Sequence, residues 1–144
     1  MSIQNRSAYH DYFIEDTFVA GMVLSGTEVK SIREGKVNFK DSFCYFVAGE
    51  LWIRNLHIAA YRFGTTSNHM ETRERKLLLN KRELRKIDAR MKEKGYTIVP
   101  LKIFFNEKGF AKLEIGLAKG KKLHDKRDTQ KQKDAEREMR RYLK

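Results

Sequence analysis

At 144 residues, 40% of them hydrophobic, the chain is long enough for one core and short for two, because smaller domains hide too little surface to be stable. Its 31 Lys and Arg against 19 Asp and Glu leave a formal charge of +12, which favours a polyanionic partner, nucleic acid first and an anionic membrane surface second. Cys44 is the single cysteine, which excludes an intramolecular disulfide and a Cys-rich zinc site, and no run approaches the roughly 20 apolar residues of a membrane span, so a reducing, cytoplasmic setting is expected.

In chain order, HDYFIEDTFVAGMVLSG is β-prone and ends at Gly26. TEVKSIREGK follows, with Val29 and Ile32 three apart beside Lys30 and Arg33, a short helix closed by Gly35. Two β-rich runs, 43–47 and 51–58, flank Ala48-Gly49-Glu50 as a hairpin. The period then changes. Asn80 can cap a helix with Glu83 in the reciprocal position, Leu84, Ile87 and Met91 share one side, and Gly95 supplies the left-handed stop. Strands return in YTIVPLKIFFNEKGFAKLEIGLA, with Leu101, Ile103 and Phe105 on one face and a turn at 106–109. Beyond it, Ala111, Leu113 and Ile115 point inward against outward Lys112 and Glu114. Helices this few cannot cover both faces of a doubly wound sheet. The expected fold is mainly β with flanking helices, a small Greek-key β-barrel of oligonucleotide-binding (OB) type over residues 1–118.

Residues 119–144 cannot build a core. They hold eleven Lys/Arg against five Asp/Glu, half of the chain's excess charge. Ala135, Met139, Tyr142 and Leu143 would form a narrow stripe if the segment coiled, and Glu136 precedes Arg140 in the favourable order. Alone, so short a helix is marginal in water, so the segment is expected to be disordered when free and to fold on an anionic surface.

Catalytic and metal chemistry find little support. The four histidines show no metal-ligand spacing, Ser25, His57 and Asp41 lack a nucleophile elbow, and no phosphate-binding glycine loop is present, so a non-enzyme without cofactors is expected. Basic residues interleaved with aromatics are more informative. NRSAYHDYF gathers Asn5, Arg6, Tyr9 and His10, and RERKLLL places Arg73, Arg75 and Lys76 at the entrance to a buried run. Such sets can hold phosphates and stack a base, although Tyr9, Tyr12 and Phe13 also suit a half-buried strand.

NRSAYHDYFIED, AGMVLSGTEVKSIREGKVNFKDSF, RERKLLLNKREL, GYTIVPLKIFF and above all GLAKGKKLHDKR resemble the small protein B family, the tmRNA-binding (SsrA-binding) proteins of bacterial trans-translation. The likeness runs in order from Asn5 to the last residue. It implies a barrel of the kind reached above and a non-enzymatic role: gripping the tRNA-like domain of tmRNA and promoting its alanylation and delivery with elongation factor Tu to the empty A site of a stalled ribosome. Elongation factor Tu and alanyl-tRNA synthetase would be met indirectly, through tmRNA, and no membrane would be involved. RNA-contact positions would fall on Asn5, His10, Leu78 and Lys112, with Arg6, Glu28, Lys30, Arg33, Arg73, Arg75 and Lys76 as further candidates in the same motifs. Leu78, being apolar, suits support better than contact. Where the family commonly has an acid before Ala-Gly, this chain has Val19, so an acid's role there does not transfer.

By the same resemblance the C-terminal segment replaces the codon–anticodon helix in the decoding centre and continues down the empty mRNA channel of small-subunit rRNA, becoming helical there. Lys119, Gly120, Lys121, Lys122, His124, Asp125, Lys126, Arg127, Arg137, Met139, Arg140, Arg141 and Tyr142 would be its ribosome-facing residues, with His124, Asp125, Lys126 and Arg127 at the decoding centre. Part extended and part coiled, the segment would reach roughly 60 Å.

Overall fold

Strictly alternating apolar residues on one strand set the frame of the structure, a computed structural model that describes residues 2–64 and 68–121. That strand is β9 (Ala111–Gly120), whose Leu113, Ile115 and Leu117 point into the barrel while Lys112 and Glu114 point out. The other elements are β1 (Ser2–Gln4), α1 (Arg6–Asp11), β2 (Tyr12–Met22), α2 (Gly26–Arg33), β3 (Val37–Asn38), β4 (Phe43–Val47), β5 (Glu50–Arg54), β6 (His57–Ile58), β7 (Arg75–Leu78), α3 (Lys81–Met91) and β8 (Tyr96–Phe105). Strands pair in the order β8-β4-β5-β7-β2-β9, and β9 pairs again with β8, closing a ring in which every pairing is antiparallel. The mainly β barrel with flanking helices is thus present. It has six strands, one more than the five of the usual OB barrel. β1 extends the sheet beyond β8, and β3 pairs with β6 in a separate ribbon.

Helices close the two ends. At one, Ile32 of α2 enters the core and Arg33 lies over the Phe105 ring, 5.3 Å from its centroid. At the other, Ile87 of α3 is buried, and Arg90 donates to Glu15 (2.8 Å) and to the Tyr96 hydroxyl (2.7 Å). Ser25 caps α2 through a reciprocal box with Glu28, so β2 stops at Met22 rather than at Gly26. Asn80 accepts from the Glu83 amide at 2.8 Å, as its spacing suggests; α3 ends at Met91, and Gly95 (φ 92°) serves the turn into β8 instead.

Two bulges alter the facing expected from alternation alone. A register shift between Pro100 and Lys102 sends Val99 and Leu101 to the outside of the barrel wall, while Ile103 and Phe105 stay with the interior. Leu101 therefore does not share a face with Ile103 and Phe105. The shift between Ile14 and Asp16 divides β2 likewise: Tyr12 and Ile14 turn outward, Phe18 and Ala20 inward. Ala8 of α1 covers the outer cluster of Val99, Leu101 and Ala118. The run 51–58 is also broken, because Asn55 adopts φ 63° and turns the chain from β5 into β6.

Candidate nucleic-acid interface

The outer wall of β2, β7 and β9 brings Val19, Leu78 and Lys112 together around Gly21. Gly21 lies opposite Lys112 on one side and Leu78 on the other, so a strand position without a side chain separates a cation from an aliphatic residue that is 50% exposed. A methyl group added at Gly21 would come within 3.3 Å of the Leu78 Cβ and 3.6 Å of the Lys112 Nζ. Two pairings further along, Val19 faces Glu114 and is 49% exposed, and Glu114 is held by Lys102 at 3.4 Å. Among the described residues Lys112 has no carboxylate partner, so its charge is available to a phosphate.

The turn between β8 and β9 adds a residue that sequence motifs alone did not single out. Phe110, 63% exposed, follows Gly109 (φ 82°) in a turn tied by Asn106, whose side-chain oxygen accepts from the Phe110 amide at 2.9 Å. With Met22, Leu24, Val29, Leu78 and Lys112 it lines a groove of about 460 Å³. Two signals for this site exist in the sequence: an isolated glycine inside a strand marks close approach, and an apolar residue beside a turn has no strand to bury it.

The remaining candidates divide sharply by burial. Glu28 and Arg75 are both 0% exposed. The Glu28 carboxylate receives the Arg75 Nε, the Arg73 Nη2 and the Ser25 amide, and Arg75 also donates to the carbonyl oxygens of Leu56 (2.6 Å) and Glu71 (3.1 Å). Burial pushes the Glu28 pKa up, but the Ser25 amide and the two guanidinium groups more than offset it and hold the carboxyl ionised. Burial lowers the Arg75 pKa against the pull of Glu28. The sequence placed both among RNA-binding residues; their polar atoms instead turn inward, where they tie α2 to β7. Arg73 is half-buried and shares its guanidinium with Glu28 and the Val23 carbonyl. Lys76 is engaged by Glu50 at 3.0 Å, and Lys30 lies over the Tyr61 ring.

Asn5, Arg6 and His10 sit apart from Lys112 and Leu78. Asn5 donates to the Pro100 carbonyl at 2.8 Å and accepts from the Ser7 hydroxyl at 3.0 Å, so its amide anchors α1 to the barrel wall. Arg6 lines a second cleft, of about 580 Å³, with Asp11, Lys40 and Asp41. His10 is exposed beside Asp11, its Nδ1 3.0 Å from the carboxylate.

Lys119 and Gly120 belong to β9, which runs two residues past Ala118. Lys119 lies over the Tyr96 ring at 4.5 Å, and Lys121 donates to the Tyr9 carbonyl and covers Phe13 at 5.2 Å. Lys122, His124, Asp125, Lys126, Arg127, Arg137, Met139, Arg140, Arg141 and Tyr142 lie outside the described residues. No helix among the described residues is long and apolar enough to cross a membrane.

The SmpB protein family model matches residues 2–144. An SsrA-binding protein of Phocaeicola vulgatus is 56% identical over 144 residues, covering 100% of this chain and 96% of its own. One of Geobacillus kaustophilus is 54% identical over 138 residues, covering 96% and 88%. A chain from a solved structure described as "tmRNA-SmpB: a journey to the center of the bacterial ribosome" superposes with a TM-score of 0.73 at 53% identity, covering 87% of each chain. A match across the whole length, joined to a shared barrel, leaves one assignment: the chain belongs to the SmpB family of SsrA-binding proteins.

Proposed function

We propose that this protein binds tmRNA through the outer wall of its barrel and serves with it in trans-translation on stalled ribosomes. The observation that carries the reading is the 56% identity to an SsrA-binding protein over all 144 residues, tail included. The family is one of RNA-binding proteins, not of enzymes. Lys112, with no carboxylate partner among the described residues and beside Leu78, supports binding by phosphate attraction with apolar support, which positions an RNA without reading its sequence.

In finer terms, the barrel grips the tRNA-like domain of tmRNA, and the complex reaches the A site of a ribosome that has run out of message. Contacts with elongation factor Tu and alanyl-tRNA synthetase are made through the RNA. Residues 122–144, with their excess of Lys and Arg, probe the rRNA of the decoding centre and the vacant mRNA channel.

Gel shift of cognate tmRNA in excess tRNA, run with the full chain and with a chain ending at Lys121, tests the reading. Both should bind tmRNA, and only the full chain should support peptide tagging on stalled ribosomes. Equal competition by mixed RNA would instead make this a general single-stranded RNA binder, and tagging by the shortened chain would remove the role given to residues 122–144.

A further inference from the structure

An apolar groove in a protein of net charge +12 needs an occupant that is apolar on one part and anionic on another. The groove at the α2 end of the barrel has Met22, Leu24, Val29 and Leu78 along its floor and walls and Phe110 at its rim. Lys112 lines it, and Arg33 lies beside its Gly109 edge. Neither Arg33 nor Lys112 forms an ion pair among the described residues, and the nearest carboxylate along β9, Glu114, is engaged by Lys102. The Arg33 guanidinium lies over Phe105 and reaches to 4.0 Å from the position a Gly109 side chain would take. The second cleft is different, because Asp11 and Asp41 line it alongside Arg6 and Lys40.

Phe110 is also held in place. Asn106 accepts from its amide through the side chain, and the Asn106 amide donates to its carbonyl at 2.9 Å, so the ring projects from a tied turn. An exposed aromatic ring on a tied backbone, beside an ammonium and a guanidinium with no ion pair among the described residues, is an arrangement that can receive an unstacked nucleobase while its phosphates meet the cations.

We propose that the groove bounded by Phe110, Leu78 and Val29 takes one unpaired nucleotide of the bound RNA, with its base stacked on Phe110 and its flanking phosphates on Lys112 and Arg33. The inference rests on the RNA-binding reading above and adds to it a stacking residue and a mode of contact.

The test measures affinity for a tmRNA transcript across a salt series with the full chain, Phe110→Ala, Phe110→Leu, Phe110→Trp and Lys112→Ala. Phe110→Ala should weaken binding at least about five-fold with its log–log salt slope unchanged, since stacking releases no counterions. Phe110→Trp should keep wild-type affinity, and Phe110→Leu should not restore it. Undiminished binding by Phe110→Ala overturns the stacking site while leaving the RNA-binding reading intact. Full binding by Phe110→Leu reduces the ring to apolar filling and overturns it equally. Failure of the unaltered chain to bind tmRNA is a separate result, and both readings fall with it.

Discussion

Glu28 of α2 and Arg75 of β7, 47 residues apart in the chain, meet as an ion pair with no exposed surface on either side chain. Such a pair contributes little beyond an apolar substitute of the same volume, but breaking it leaves one charge buried and alone. Glu28→Gln should therefore destabilise the fold by about 3–5 kcal/mol in urea unfolding. A loss below about 1 kcal/mol would show that Arg75 finds other partners.

The same carboxylate predicts an acid limb. Its folded pKa is held below the ordinary value, so its stabilisation is complete above the unfolded pKa of about 4.3 and is lost as pH falls through the lower folded pKa. Stability measured from pH 6 down to 2 should fall more steeply for the wild type than for Glu28→Gln. Parallel curves would remove Glu28 from the acid response.

Lys112 is the cleanest test of phosphate contact, because no carboxylate among the described residues competes for it. Lys112→Ala should flatten the log–log salt dependence of tmRNA binding by about 0.7–0.9, one neutralised phosphate. An unchanged slope would mean that Lys112 faces solvent in the complex.

Val19 stands directly across from Glu114 on the outer wall. Val19→Glu should cost roughly 0.2–1 kcal/mol by like-charge repulsion across the strands, and Val19→Lys should not. Either change should alter tmRNA affinity less than about ten-fold, or 1.4 kcal/mol; a hundred-fold change would place Val19 at the centre of the interface.

Gly116 is where β9 passes beneath the outer cluster. A methyl group there would lie 3.0 Å from both the Ile14 Cγ2 and the Leu101 Cδ1, so Gly116→Ala should cost about 1–3 kcal/mol and lower the melting temperature. An unchanged melting temperature would show that the outer cluster yields freely.

What the sequence disclosed, and what it hid, follows from the range of the forces involved. The alternation of Leu113, Ile115 and Leu117 and the cap at Asn80 are local, and both are where periodicity and capping chemistry put them. The bulges at Glu15 and Leu101 are not, since each depends on pairing with a strand far along the chain. α1 spans six residues with one buried side chain, too little to show a period. Arg75 reads as a surface cation because its partner Glu28 is remote in sequence, whereas the two positions that the family resemblance implied, Lys112 and Leu78, are neighbours across Gly21.

β9 is hydrogen-bonded on both flanks, to β2 and to β8, for nearly its whole length. Lys112 stands at its start and Gly120 at its end, eight residues on, a span of roughly 26 Å. A strand clamped on two sides neither stretches nor pivots, so it works as a rigid gauge between the groove at one end and Lys121, whose amide donates to the Asp11 carbonyl at 2.9 Å, at the other. Under the proposed function, an RNA seated at Lys112 would therefore lie a fixed distance from Lys121, and lengthening the chain beyond Lys121 would leave that distance unchanged.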